Sequence, residues 1–519
     1  MFSPSMAFKL NHILAISRNC LKLFWAIVVL NNNWLQAQTR PAAKPKNIIF
    51  ILSDDHRYDA MGFMGKFSGL QTPQLDKMAA EGAHVQNAFV STALCSPSRA
   101  SILTGQYAHT HTIVDNQAPL PKGLKFFPQY LQKAGYKTAF FGKWHMGNTD
   151  DNPQPGFDYW LSFKGQGVYK DPTFNINGKQ VPQKGHTSDL LTDHALDWMT
   201  KQDKSKPFFV YLSHKAVHAM FEPADRHAGR YKDMTIQYPA SMYLTKTDSS
   251  KIWGKLPTPS PNANLKDMPN WVKKQRNSWH GVDYLYHGQL DFNDFYRRYC
   301  ETLLGVDESV GRVMQWLKDN NLDENTLVVY MGDNGFSFGE RGLIDKRHSY
   351  EESMRVPMLV RCPSVVKAGG TISQVIQNVD IAPTLLAYAG LPTPAQMQGR
   401  SFLPILRGQV PADWRNRAFY EYYWEYDFPQ TPTLFAIRTD RYKYIYNYGG
   451  WDINELYDLQ EDPEEVNNLI RSPQHQDLAR DLRKELFDWL EKTNGSHIPV
   501  KRPFPDNHKR GDHIYEGVY

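Results

Sequence analysis

Short apolar runs that each end in a cluster of polar residues constrain this chain more than any other feature. Asn47–Leu52, Thr138–Phe141, Phe208–Leu212, Leu327–Met331 and Met358–Arg361 have the length of strands. They are too uniformly apolar for a sheet with one wet face, and read as strands buried on both faces of a parallel sheet. Helical spacing fills the intervals, at Gln74–Ala83, Phe127–Ala134, Asp189–Met199, Phe295–Asp319 and Asp380–Ala389. Thr72-Pro73 offers an N-cap and a first-turn proline to the first of these, and Gly135 a stop to the second. This alternation predicts a doubly wound α/β domain.

The chain has 519 residues, 41% hydrophobic and 22% charged, which excludes a disordered, collagen-like or coiled-coil protein. Its formal net charge is +5. Residues 1–37 hold Lys9, Arg18 and Lys22 and no acid, so the remainder carries about +2 and binding of nucleic acid by bulk charge is not expected. Those three cations precede the apolar run Leu23–Leu30 and a polar stretch ending in Ala37. That order reads as a secretory signal, 1–37, followed by a linker, 38–46, and implies export to the periplasm or beyond. The run is too short to span a bilayer, so no membrane span is expected in the mature chain.

From about Trp414 the character changes. Thr433–Arg438 and Tyr442–Tyr448 read as a hairpin and Leu478–Leu490 as an amphipathic helix. These features divide the chain into a catalytic domain over 47–412 and a smaller C-terminal α+β subdomain over 413–519. Within the first, residues 223–291 form a long irregular insert of the kind that serves as a functional loop. No repeat is evident. Four cysteines are too few for a disulfide scaffold in so long a chain, and whether Cys300 and Cys362 pair stays open.

The residues just past each strand carry the chemistry. Ser53-Asp54-Asp55-His56, Gly142-Lys143-Trp144-His145, Ser213-His214-Lys215-Ala216-Val217-His218 and Gly332-Asp333-Asn334-Gly335 stand at four strand ends. Carboxyl ends of parallel strands share the edge where ligands bind. Taken singly, an Asp after a strand is a turn or cap residue. Two such clusters together, Asp54 and Asp55 with Asp333 and Asn334, make an oxygen-only ligand set suited to Ca²⁺ or Mg²⁺ and unsuited to zinc. Lys143, His145 and His218 supply a complementary cationic half. In Cys95-Ser-Pro-Ser-Arg-Ala-Ser-Ile-Leu-Thr-Gly105, Pro97 can start a helix, which puts Cys95 at its N-terminus and Arg99 one turn along the same face. Such a corner favours a tetrahedral oxyanion; the plain alternative is a buried free thiol.

Cys95-Ser-Pro-Ser-Arg99 with Ala-Ser-Ile-Leu-Thr-Gly105 resembles the signature of type I, formylglycine-dependent sulfatases, members of the alkaline-phosphatase-like superfamily. Ser53-Asp-Asp55, Gly142-Lys-Trp-His145, His218, Gly332-Asp-Asn-Gly335, Asp345-Lys-Arg347, Tyr350–Pro357 and Leu456–Pro463 match further motifs in that family's order. The resemblance runs from about Lys46 to Leu490. It implies a large mixed, mostly parallel sheet flanked by helices, with a smaller C-terminal subdomain. It further implies that a formylglycine-generating maturation enzyme converts Cys95 to formylglycine, whose hydrate attacks the sulfur of a sulfate ester. Asp54, Asp55, Asp333 and Asn334, with residue 95, would hold one Ca²⁺. Arg99 and Lys143 would hold the nucleophile, His145 would act as base for sulfate elimination, and His218 and Lys346 would bind sulfate and protonate the leaving oxygen. His218 lacks the flanking prolines common in the family, and His214 competes for its role.

Aromatic residues of the insert, Trp253, Trp271, Trp279, Tyr284 and Tyr286, with His280 and His287, can stack on sugar rings or simply pack the loop. The runs Ser213–His218 and Gly281–His287 look similar to carbohydrate sulfatases near the N-acetylglucosamine-6-sulfatase group. The expected substrate is therefore a sulfated carbohydrate, such as N-acetylglucosamine 6-sulfate in glycosaminoglycan or mucin. Two other readings stand beside it. A phosphatase or phosphodiesterase of the superfamily would more often use Ser or Thr and zinc. A catalytically silent glycan-binding relative would have no need of all the polar residues present.

Overall fold

The computed structural model describes residues 46–147, 151–243, 265–278, 280–282, 291–450 and 452–499. The expected signal, nearly all of the linker, and Trp253, Trp279, Tyr284, Tyr286 and His287 of the insert lie outside the described residues.

Ten strands form the main sheet, in the order Gly370–Ile372, Ala83–Val85, Met358–Arg361, Thr326–Gly332, Asn47–Ser53, Phe208–Ser213, Lys137–Lys143, Tyr159–Phe163, Thr173–Ile176 and Lys179–Pro182. Asn47–Ser53 runs parallel to both neighbours, with Ile49 opposite Val210 and Val328. Alternate residues of this strand enter opposite cores: Ile48, Phe50 and Leu52 on one face, Ile49 and Ile51 on the other. Helices Pro73–Glu81, Thr187–Thr200 and Phe292–Asp319 line the second face, and Cys95–Thr104, Phe127–Lys133 and Ile381–Tyr388 the first. Each fully buried aliphatic side chain contributes roughly 1.5–3 kcal/mol to this packing. The sheet is thus mixed and mostly parallel, and covered by helices on both sides.

Three local expectations need correction. Met358–Arg361 is antiparallel to both of its neighbours. The chain leaves Thr326–Gly332 at the carboxyl edge, stays there through the small pair Ser337–Phe338 and Ile344–Asp345, and re-enters from the same edge, so it must run back. The first helix ends at Glu81, because Ala83 begins a strand. Thr72 occupies the cap position, yet its hydroxyl accepts from the Gly62 N–H at 2.8 Å, while the Asp307 carboxylate takes the N–H groups of Gln74 and Leu75 at 3.0 and 2.8 Å.

A separate antiparallel sheet, Ala418–Tyr422, Leu434–Arg438, Tyr442–Asn447 and Glu455–Asp458, includes the anticipated hairpin. Helix Gln476–Lys492 packs Leu482, Leu486 and Trp489 with Phe435, Ile437 and Tyr444. Cys300 and Cys362 are both free and buried, so they do not pair. No helix among the described residues is long and apolar enough to cross a membrane.

Candidate active site

The carboxyl edge of the central strands gathers the polar clusters. Asp54 leaves the end of Asn47–Ser53 bracketed by backbone: its N–H donates to the Ala216 carbonyl at 2.9 Å, and its carbonyl accepts from Val217 at 2.7 Å. Asp55 comes next at φ 52°, a left-handed turn that short polar residues tolerate, and its N–H donates to Asp333 Oδ1 at 3.1 Å. The glycines of two motifs are needed for close approach. A Cβ at Gly142, whose φ is +111°, would lie 1.8 Å from the Ser213 carbonyl oxygen, and one at Gly335 would lie 1.9 Å from that of Glu352.

Cys95 is the first residue of its helix, two positions before the proline expected to start it. Its Sγ lies 3.5 Å from Asp54 Oδ1 and 3.6 Å from Lys143 Nζ. Arg99, one turn on and fully buried, donates to Asp333 Oδ2 at 2.9 Å, Asp54 Oδ2 at 3.2 Å, and the Lys143 carbonyl and Ser213 Oγ at 2.7 Å each. The Lys143 ammonium donates to Asp54. Lys346 donates to both oxygens of Asp55 at 2.8 and 2.7 Å, and Asn334 Nδ2 to Asp55 Oδ1 at 2.7 Å. His218 Nε2 stands 3.9 Å from Asp55 Oδ2. His145 is buried beside the helix start, its carbonyl accepting from the Ser96 hydroxyl.

The structure thus brings Asp54, Asp55, Cys95, Arg99, Lys143, His145, His218, Asp333, Asn334 and Lys346 into one cluster. Two neighbours face elsewhere. His214 bonds Ser309 of the long helix at 3.0 Å, and His56 bonds the Tyr330 hydroxyl at 2.6 Å and the Ala60 carbonyl at 2.9 Å. The sequence places Ser213 in a strand-end cluster without a role, and the structure shows it relaying Arg99 to the Lys143 carbonyl; Tyr169, whose hydroxyl donates to the His218 carbonyl at 2.6 Å, carried no sequence signal. Lys215 stands in the same cluster, where the sequence assigns it no role.

Carboxylate oxygens of Asp54, Asp55 and Asp333 lie within 4.8 Å of one another, all buried. Asn334 Oδ1 is buried with no hydrogen-bond partner among the described residues, an oxygen lone pair left for a ligand. Three carboxylates converge, with the Asn334 amide against Asp55, and this oxygen-rich set fits a divalent cation such as Ca²⁺. The surrounding charges set each group. Burial drives Asp54 upward, but Lys143 and Arg99 hold it well below the usual carboxylate range. Burial, reinforced by Asp54 and Asp333 and opposed by Lys346, raises Asp55 to about 7. Burial and then Asp54 push the Cys95 thiol up to about 12, so an unmodified thiol here stays protonated and poorly nucleophilic. Burial first, then Lys143 at His145 and Lys346 at His218, holds both imidazoles well below their ordinary value, as neutral bases. Burial and the nearby Lys143 lower Lys215 to about 7.

Buried carboxylates pressed together beside cations suit the binding of a divalent ion and an anion at one place. Comparison with known proteins makes the class specific. The Sulfatase family matches residues 46–391, and the family described as N-sulphoglucosamine sulphohydrolase, C-terminal, matches residues 339–492. The chain is 35% identical over 493 residues to the N-acetylglucosamine-6-O-sulfatase of Bacteroides thetaiotaomicron, covering 87% of this chain and 86% of that one. It is 28% identical over 477 residues to the N-acetylglucosamine-6-sulfatase of Capra hircus, covering 82% and 80%. The solved structure of BT4656 in complex with its substrate D-glucosamine-2-N,6-O-disulfate superposes with a TM-score of 0.75 at 31% identity, covering 89% of this chain and all of that one. The protein belongs to the sulfatase family.

Proposed function

We propose that this sulfatase is exported and removes sulfate from a glycan, acting on the 6-sulfate of N-acetylglucosamine in glycosaminoglycan or mucin. The observation that carries the chemistry is the position of Cys95: at a helix start, 3.5 Å from Asp54, within an all-oxygen cation cluster. The named relatives support the sugar. The basic segment and apolar run before Ala37 support export. A catalytic domain over 47–412 with a C-terminal subdomain from 413 is supported by the separate antiparallel sheet that begins at Ala418.

In this reading a maturation enzyme oxidises Cys95 to formylglycine. Hydrated, residue 95 offers one hydroxyl to bond sulfur and a second whose deprotonation expels sulfate. Asp54, Asp55, Asp333 and Asn334 would hold Ca²⁺, which would supply Lewis acidity at the reacting group. Arg99 and Lys143 fix residue 95 and balance its charge. His218 and Lys346 hold the sulfate, and Lys346, kept protonated in spite of burial by Asp55, gives a proton to the departing sugar oxygen. Neutral His145 takes the proton of the second hydroxyl when sulfate leaves. Preorganised cations of this kind provide the largest share of rate enhancement in such sites.

The test is sulfate release from N-acetylglucosamine 6-sulfate, glucosamine 2-N-sulfate and galactose 6-sulfate, by enzyme made in a host that matures Cys-x-Pro-x-Arg. The first substrate should turn over fastest, and Cys95→Ala should be inactive. Failure to release sulfate from any of them, or an equally active Cys95→Ala, overturns the proposal.

A further inference from the structure

Cations crowd the cluster, yet they are not alike. Lys143 rests on Asp54, Lys346 on Asp55, and Arg99 on Asp54 and Asp333. Lys215 has no such carboxylate among the described residues. It is 5% exposed, and within that set its ammonium makes no hydrogen bond and no ion pair. Its one described partner is the ring of Tyr169, with Nζ 4.6 Å from the centroid. Tyr169 is itself fixed, because its hydroxyl donates to the His218 carbonyl.

The backbone around Lys215 is held against the site. Two residues before it, Ser213 bonds Arg99; directly after it, Ala216 and Val217 bracket the backbone of Asp54. The charged or ionisable groups that act on its ammonium are Lys143, Asp54, Asp55 and Cys95, the nucleophile position and its immediate companions. Removing an ammonium from water without an anion is unfavourable, and a ring face offsets only part of that cost. The arrangement makes sense where the anion arrives with the ligand.

Resting on the reading of residue 95 as a sulfatase nucleophile, we infer that Lys215 is a further substrate-binding residue, whose ammonium ion-pairs with the sulfate group being transferred. It stands in the strand-end run Ser213–His218, but none of the roles drawn from the sequence motifs falls on it. Tyr169 is its positioning residue, holding the side chain from behind through the ring.

The experiment uses mature enzyme loaded with Ca²⁺ and compares wild type, Lys215→Met, Lys215→Gln and Lys215→Arg. Charge-assisted contacts of this kind correspond to roughly 10- to 100-fold in affinity. Removing the charge should raise both KM for N-acetylglucosamine 6-sulfate and the inhibition constant of inorganic sulfate by about that factor, with a smaller change in kcat. Lys215→Arg should recover most of both. A structural role would not move sulfate inhibition and KM together, nor be rescued by the conservative variant.

Unchanged KM and sulfate inhibition in a neutral variant with wild-type thermal unfolding overturn the inference. So does a defect confined to glucosamine 2-N,6-O-disulfate, which would put Lys215 on a second sulfate. Sulfate binding measured by calorimetry in Cys95→Ala, with and without Lys215→Met, needs no turnover. A wild type that hydrolyses no sulfate ester therefore sinks the functional reading, while equal sulfate binding by those two proteins sinks the inference about Lys215.

Discussion

Two buried charge clusters of this protein are built differently. Beyond Tyr350, acids and bases alternate: Arg341 with Glu352 at 2.6 Å, Arg438 with Glu351 at 3.1 Å, and Lys443 with Glu351 at 3.0 Å and Glu465 at 2.7 Å. Tyr350 donates to Glu455 at 2.6 Å, and Lys443 also donates to the Ser349 carbonyl at 2.7 Å. This network ties the loop to the C-terminal sheet. At the strand ends, by contrast, three carboxylates are pressed together. There, among the described residues, Asn334 Oδ1 and His145 Nδ1 lack partners and Lys215 has no anion. In the first, Glu351, Glu352 and Glu465 each meet a cation of the protein itself, although Arg341 Nε and Ser349 Oγ there also lack hydrogen-bond partners among the described residues. The second fits a cation and an anion from outside.

The sharpest way to break this contrast is Cys95→Ala. Losing the nucleophile should lower kcat/KM by about 10⁴-fold or more. Removing one small buried atom should cost only about 1 kcal/mol of stability by urea unfolding. A large loss of stability with retained activity would place Cys95 in the structural class. Chelation comes next. Stripping divalent ions should lower kcat by about 10³-fold, and added Ca²⁺ should restore it and raise the unfolding temperature. Activity indifferent to chelator would remove the oxygen cluster from the catalytic side of the comparison.

Lys443→Met probes the other region. It leaves Glu351 and Glu465 buried without their shared cation, and should cost about 3–5 kcal/mol in urea unfolding while the folded fraction still turns over substrate. The smallest expected effect is in pH dependence. Burial alone would raise Glu351, but Arg438 and Lys443 hold it far below the ordinary carboxylate range. A carboxyl depressed on folding contributes stability above its unfolded value, near 4.5, and loses it as pH falls through the folded value. Wild type should therefore weaken on acidification below about pH 4.5, and Glu351→Gln should flatten that slope by up to one proton. An unchanged slope would take Glu351 out of the stabilising network.

The two regions also differ in how they could be read from the sequence. Asp54, Asp55, Asp333 and Asn334 were legible because each comes directly after an apolar run that had to be a central strand, so topology dictated their convergence. The Tyr350–Pro357 stretch was legible only as a motif. Its partners Glu455 and Lys443 lie about a hundred residues away on a different sheet, and no periodicity links them. The direction of Met358–Arg361 escaped for a related reason: an apolar run carries no sign of orientation, which depends on whether the chain crosses the sheet before re-entering it. His214 and His218 differ only in which way the backbone turns after Ser213, where Ala216 and Val217 clasp Asp54. Lys215 was visible in the strand-end run Ser213–His218, but no role could be read for it there, since what distinguishes it is a missing partner.

The most direct measurement is the mass of the peptide containing Cys95, from active enzyme made in a host that matures this motif. Exchange of the thiol for an aldehyde makes the peptide about 18 Da lighter than its sequence mass, which is the expected result. An intact cysteine peptide accounting for all of a fully active preparation would contradict the assignment of residue 95 as an oxidised oxygen nucleophile.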